Sequence, residues 1–319
     1  MYRIGIDLGG TNIAAGLVSD DLKIIRKVSI PTGASRDASL IVADMAKACS
    51  MLVEECGIGV ADIAAVGIAS PGIADHDRGV VEYANNLPFR RLPVADMLRE
   101  HFPVKTINVE NDANAAAWGE AVAGAARGTR NSVMITLGTG VGGGIIIDGK
   151  ICSGFNFAGG ELGHIVIQKG GRRCSCGRCG CWEAYSSATA LIAMTGEKLE
   201  ECRKTGRQTV MEDLFALRGK VSARTAFDAM KQGDPAGSEV VDEYASYLAC
   251  GLTNIVNIFQ PEVISIGGGI SNERDNLLRP IIPIIRKEQY GGGIVKETEI
   301  RIAELGNDAG IIGAATLGI

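Results

Sequence analysis

The chain has 319 residues, of which 46% are apolar and 22% charged, with a net charge of −5. That balance gives no electrostatic grip on nucleic acid or an anionic membrane, and no apolar run approaches the roughly 20 residues of a membrane span. The N-terminus, Met1-Tyr2-Arg3-Ile4, enters a strand-like pattern at once and lacks the layout of a signal peptide, so a cytoplasmic protein with neither nucleic-acid nor membrane partners is expected.

Residues 2–8, 12–19 and 22–30 read as three consecutive antiparallel strands, the first two separated by Gly9-Gly10-Thr11. Residues 36–56 follow helical spacing, with Ile41, Met45, Ala48 and Leu52 on one face and Gly57 placed as a C-cap. Short buried strands follow at 63–69 and 106–109, the second leading into an Ala-rich helix over 112–126. A second round opens with strands at 132–137 and 142–147 around Gly138-Thr139-Gly140, and Asp148-Gly149 predicts a hairpin turn into 150–152. A helix over 238–259 stopped by Pro261, strands at 262–266 and 299–305, and a closing helix after Asn307 complete the pattern.

Asp7-Leu8-Gly9-Gly10-Thr11 aligns with Thr136-Leu137-Gly138-Thr139-Gly140. Such an internal repeat predicts two similar α/β domains facing each other across a cleft, where ligands are favoured. The division expected is a small domain of residues 1–119 with 307–319, and a large domain of residues 120–306.

The two matched Gly-rich turns let backbone N–H groups approach a polyphosphate closely, and Thr11 and Thr139 add hydroxyl donors. A third run, Gly267-Gly268-Gly269, follows a strand and is placed to pass near a nucleoside. Gly138 to Gly143 fits the dinucleotide pattern G-x-G-x-x-G, but that motif needs a helix after it, and here Ile145-Ile146-Ile147-Asp148-Gly149 reads as strand and hairpin. No G-x-x-x-x-G-K-[ST] sequence is present.

Five of the nine cysteines have mostly apolar neighbours and read as buried thiols; the other four are Cys174, Cys176, Cys179 and Cys181. His164, one of only three histidines, lies shortly upstream. His164, Cys174, Cys176 and Cys181 make a four-ligand structural zinc set with Cys179 as the spare thiol. A closed site of that kind pins the loop carrying Glu161, His164 and Glu183 rather than performing chemistry.

Phosphorylating an alcohol requires a base near the hydroxyl and a means of neutralising phosphate charge. Asp112 sits where a strand gives way to a helix, a position that serves equally as an N-cap for Asn111 or Asp112. Asn111, Glu161, His164 and Glu183 are short polar groups able to grip sugar hydroxyls. Asp7 precedes the first Gly turn without an evident partner, and a magnesium ion arriving with ATP would balance its charge.

These motifs resemble the ROK family of repressors, open reading frames and kinases: Asp7-Leu8-Gly9-Gly10-Thr11, Glu110-Asn111-Asp112-Ala113, Leu137 to Gly144, Gly160-Glu161-Leu162-Gly163-His164, C-x-C-G-x-x-G-C-x-E at 174–183, and Ile266 to Gly269. The resemblance covers essentially the whole chain. It implies an α/β fold of two ribonuclease H-like domains of the actin and hexokinase type with an interdomain cleft. It implies an ATP-dependent hexose kinase, most like bacterial glucokinases, with Asp112 as general base. Asn111, Glu161, His164 and Glu183 would contact the hexose, and His164 would also ligate zinc. Asp7, Gly9, Gly10, Thr11, Asn12, Gly138, Thr139, Gly140, Gly268 and Gly269 would bind ATP and Mg²⁺. A homodimer, or a tetramer, is expected on the same ground. Kinases for fructose, N-acetylglucosamine or N-acetylmannosamine share these residues. A transcriptional regulator of the same family is disfavoured, because the first strand begins at residue 2 and leaves no place for a DNA-binding domain.

Overall fold

The computed structural model describes residues 1–319. Its first round of elements is β1 (Tyr2–Leu8), β2 (Asn12–Val18), β3 (Ile24–Pro31), α1 (Ala38–Cys56), β4 (Ile63–Ser70), β5 (Ile73–Asp75), β6 (Val80–Tyr83), β7 (Arg90–Leu92), α2 (Val94–His101), β8 (Ile107–Asn111) and α3 (Asp112–Ala123). The second round is β9 (Ser132–Leu137), β10 (Val141–Ile147), β11 (Lys150–Ile151), α4 (Glu183–Ser186), α5 (Ala188–Thr205), α6 (Val210–Arg218), α7 (Thr225–Lys231), α8 (Pro235–Phe259), β12 (Val263–Gly267), α9 (Asp275–Glu288), β13 (Glu299–Ile302) and α10 (Ala309–Ala315).

The internal repeat reappears as topology. One sheet has the order β3-β2-β1-β4-β8 and another β11-β10-β9-β12-β13, so each round places its first strand at the centre and its second and third to one side. In the first sheet β1 pairs antiparallel with β2 and parallel with β4, which in turn pairs parallel with β8. A separate three-stranded sheet, β5-β6-β7, arises from residues in which no strand is predicted from sequence.

Two compact units divide the chain: Met1–Met134 with Gly143–Gly160 and Ala303–Ile319, and Ile135–Gly142 with Glu161–Ile302. The sequence division at residue 119/120 falls inside α3 (Asp112–Ala123). The helix cannot be cut there, because the fully buried Glu120 ties it to the loops beyond it. Glu120 Oε2 accepts from the N–H groups of Ala125 (2.7 Å) and Glu304 (3.1 Å), and Oε1 from Leu305 (2.8 Å). The chain therefore returns to the first unit at Ala303, slightly before the expected residue 307.

The predicted helix face is found: Ile41, Met45, Ala48 and Leu52 of α1 are fully buried, in one cluster with Ile4, Ile6 and Ile68. Gly57 ends that helix with φ 64°, a left-handed value that favours glycine. At the β10–β11 hairpin Asp148 and Gly149 both have positive φ, 53° and 73°, as a two-residue primed turn demands. In the second unit Trp182 is fully buried and donates Nε1–H to Tyr247 O at 3.1 Å, against α8. No helix is long and apolar enough to cross a membrane, and all nine cysteines are free thiols.

Glu120→Ala would remove the buried carboxylate that three N–H groups now share. It is expected to lower stability by about 3 kcal/mol, read as a shifted midpoint in urea unfolding.

Candidate functional site

The first Gly turn, between β1 and β2, closes with Gly9 N–H donating to Asn12 O at 2.9 Å. Thr32 braces it from β3's end, its Oγ1–H donating to Gly9 O (2.6 Å) and its N–H to Thr11 O (2.9 Å). The matching turn between β9 and β10 closes with Gly138 N–H on Gly140 O at 3.0 Å. The start of α5 grips this second turn: Ala188 N–H donates to Gly138 O and Thr189 Oγ1–H to Thr139 O, each at 2.8 Å. Gly268, at φ 84°, packs so tightly on the Leu137 backbone that a Cβ would overlap it. The third Gly run is thereby set beside the second, and the close packing is itself one reason for the glycine.

Asp7, at the end of β1, lies next to α10, where a Cβ on Gly310 would come within 2.7 Å of its Oδ2. Burial, reinforced by the nearby charge of Asp112, pushes its carboxyl up to about 6. Asp112 opens α3 and its Oδ1 accepts from Ala113 N–H at 2.9 Å. The capping role belongs to Asn111, whose Oδ1 accepts from Ala113 N–H (2.9 Å) and Asn114 N–H (3.1 Å). Its Nδ2 donates to Gly72 O at 2.9 Å, which leaves one N–H for any ligand.

Behind this corner lies a cluster that sequence reasoning missed. Glu110 is buried; its Oε1 accepts from Asn111 N–H (2.9 Å) and Asn114 Nδ2 (3.0 Å), while its Oε2 faces His76 Nδ1 at 3.2 Å. His76 also meets Phe157 edge-on, ring centroids 4.8 Å apart. The scarcity of histidine in the chain was the available signal for His76.

In the second unit, His164, Cys174, Cys176 and Cys181 converge, all four ligand atoms lying within 4.8 Å of one another. Cys176 Sγ and Cys181 Sγ are 3.6 Å apart, and Cys174 Sγ and His164 Nδ1 3.7 Å. A tetrahedron with metal–sulfur bonds of about 2.3 Å has edges of about 3.8 Å, so the cluster can hold one metal ion. With Nδ1 in the cluster, the Nε2 of His164 points away from it. Burial, with the neighbouring thiols adding to it, pushes Cys181 up to about 12, so loading such an ion displaces a proton. The sequence-expected spare, Cys179, lies outside the four-ligand group.

Glu161 is exposed at the start of a short 3₁₀ turn, Leu162–His164. Glu183 opens α4 with both carboxylate oxygens engaged: Oε2 accepts from Val141 N–H at 3.0 Å and Oε1 from Ser175 Oγ–H at 3.1 Å. A surface cavity of about 610 Å³ runs past Thr139, Gly140, Ser175, Glu183 and Thr189. Ser175 and Thr189 were not among the residues expected from sequence.

The model of the ROK family matches residues 3–319. The chain belongs to the ROK family. A glucokinase of Halalkalibacterium halodurans is 38% identical over 99% of this chain and 94% of its own length. The solved ROK family glucokinase from Streptomyces griseus, in complex with glucose and AMPPNP, is 34% identical, with a TM-score of 0.79 and coverage of 99% of both chains. A ROK hexokinase from Thermus thermophilus is 32% identical with a TM-score of 0.77, covering 99% of this chain and 97% of that one. The fold is thus that of the ROK sugar kinases, the actin and hexokinase type expected from the sequence.

Two outcomes follow from the site of this ROK protein. Purified chain should carry about one metal ion; Cys176→Ser should lose it and Cys179→Ser should keep it, measured by elemental analysis. Asp7 carries a second. Since its folded value of about 6 exceeds the ordinary 3.8, the folded chain holds a proton that the unfolded chain has released. That contribution to stability is present at the acid end of this window and is lost as pH rises through about 6. Asp7→Asn removes the dependence, so in metal-free buffer the variant should gain about 2 kcal/mol on wild type between about pH 4 and pH 7, measured by urea unfolding.

Proposed function

We propose that this ROK protein is an ATP-dependent hexokinase, and specifically a glucokinase acting on the 6-hydroxyl of glucose. The observation that carries the reading is the similarity along the whole chain to a glucokinase solved with glucose and AMPPNP, supported by the identity to the H. halodurans glucokinase. The presence of Asp112 at the mouth of α3 agrees with it.

Asp112 takes the proton of the attacking hydroxyl, the hydroxyl oxygen bonds to the terminal phosphorus, and the bond from that phosphorus to the bridging oxygen breaks, giving hexose 6-phosphate and ADP. Asn111, Glu161, His164 and Glu183 hold the hexose. Asn111 acts there as a donor, because its carbonyl oxygen is committed to the helix cap. His164 offers Nε2 to the sugar while Nδ1 serves the metal cluster.

The turns at Gly9-Gly10-Thr11-Asn12 and Gly138-Thr139-Gly140, with Gly268 and Gly269, bind the nucleotide. Backbone N–H groups of these turns other than those of Gly9 and Gly138, which close the turns, would stabilise charge on the phosphoryl group in flight. Mg²⁺ arriving with ATP would be held on the side of Asp7 and would neutralise phosphate charge. The metal of the cysteine cluster is zinc: three thiolates and one imidazole suit it, and four protein ligands leave no open position for chemistry. Its part is to fix the loop that carries His164 and Glu183. Free thiols throughout agree with a cytoplasmic location.

Asp112→Asn should lower turnover by about a thousandfold or more while leaving hexose affinity largely intact. An ADP-release assay over glucose, mannose, fructose, N-acetylglucosamine and N-acetylmannosamine checks both base and substrate. Near-normal turnover of the variant would rule out Asp112 as the base, and a preference for another hexose would replace glucose.

A further inference from the structure

The carboxylate of Glu183 joins two pieces of chain remote in sequence. On one side its Oε2 accepts the N–H of Val141, a buried residue just after the Gly138-Thr139-Gly140 turn. On the other its Oε1 accepts from Ser175 Oγ–H at 3.1 Å and lies 3.6 Å from the Cys174 thiol. Ser175 sits between the two cysteine ligands Cys174 and Cys176. The fit is close on the turn's side as well, since a Cβ on Gly140 would collide with Glu183 Oε2.

We infer that Glu183 is a positioning residue that ties the phosphate-donor turn to the cysteine loop, so that metal occupancy of the loop sets affinity for the phosphoryl donor. This rests on the proposed reading of the 138–140 turn as a donor site. In the loaded cluster Cys174 carries no proton, and Ser175 becomes the hydroxyl donor left on Oε1. Coordination of its two neighbours fixes Ser175, Ser175 fixes the Glu183 carboxylate, and the carboxylate fixes the Val141 N–H and the path of the turn before it.

A hydrogen bond to a charged acceptor is the stronger kind, and losing it leaves a buried N–H without a partner. The ties from α5 to Gly138 and Thr139 survive that loss. Removing Glu183 should therefore loosen the turn without dismantling it. A residue that only grips hexose would change hexose affinity and leave the donor untouched.

The test is calorimetric binding of AMPPNP without hexose to wild type, Glu183→Gln and Glu183→Ala, each metal-loaded and after chelation, with metal content measured alongside. Loaded Glu183→Ala should bind AMPPNP about tenfold more weakly than wild type, whereas Glu183→Gln, which keeps an acceptor for Val141 and gains a donor toward Ser175, should stay within about threefold. Chelation should weaken wild type by about tenfold and Glu183→Ala by much less. Equal effects of chelation in wild type and Glu183→Ala, or wild-type AMPPNP affinity in loaded Glu183→Ala, would overturn the coupling and leave the kinase reading standing. If wild type itself does not bind AMPPNP, the donor reading and the coupling fall together. Should chelated protein unfold, the loaded Gln and Ala variants decide alone: equal affinity in the two overturns the proposal.

Discussion

Backbone-to-backbone packing of α10 is the constraint on which the first unit depends. A Cβ on Gly67 of β4 would overlap Ala314 O, and one on Gly313 would overlap Ala115 O of α3. The helix therefore lies flush against β1, β4 and α3 with almost nothing between their main chains, a geometry open only to the smallest residues. Both acidic groups of the corner follow from it. Asp7 is the penultimate residue of the central strand, beneath α10, and Asp112 begins the helix that α10 presses on. Burial of Asp7 beside a second carboxylate is unfavourable for its charged form, which is why its carboxyl is pushed up to about 6.

The second unit solves a different problem. Between β11 and α4 the chain runs for some thirty residues with only a short 3₁₀ turn and two isolated bridges for regular structure. Such a segment has little apolar surface with which to offset its conformational entropy. His164, Cys174, Cys176 and Cys181 converge so that a metal ion bound there would supply what a core does not, and Trp182, fully buried next to Cys181, anchors the far end of the loop. Glu183 joins this loop to the glycine turn through its hydrogen bonds from Ser175 and Val141. The Cys/His cluster, the acidic side chain and the turn form one continuous polar assembly inside a single unit.

Residue by residue, the legible parts were those fixed by local chemistry. The Asp148-Gly149 turn, the Gly57 cap and the apolar face of α1 each express a short-range preference written in a few neighbouring residues. The strand β8 ran two residues further than its apolar pattern, through Glu110 and Asn111, because their main chain continues the parallel pairing with Ala69 and Ser70 of β4, which side-chain polarity does not reveal. The sheet β5-β6-β7 escaped notice for a related reason: its strands are three or four residues long, too short for alternation to register.

What the sequence determined by itself was the repeat and the inventory of chemistry: two glycine turns in matched settings, a cysteine cluster with its histidine, and an Asn-Asp pair where a strand meets a helix. Those are properties of composition and spacing, which local sterics and ligand valence convert into structure almost without reference to the rest of the chain. The tertiary fold alone decided how each group is spent. It gave the cap to Asn111 rather than Asp112, placed Asp7 beside Asp112, backed the corner with Glu110 and His76, and closed both oxygens of Glu183 on partners far away in sequence. Hydrogen bonds of that kind depend on distances between elements brought together by packing, and no spacing along the chain encodes them.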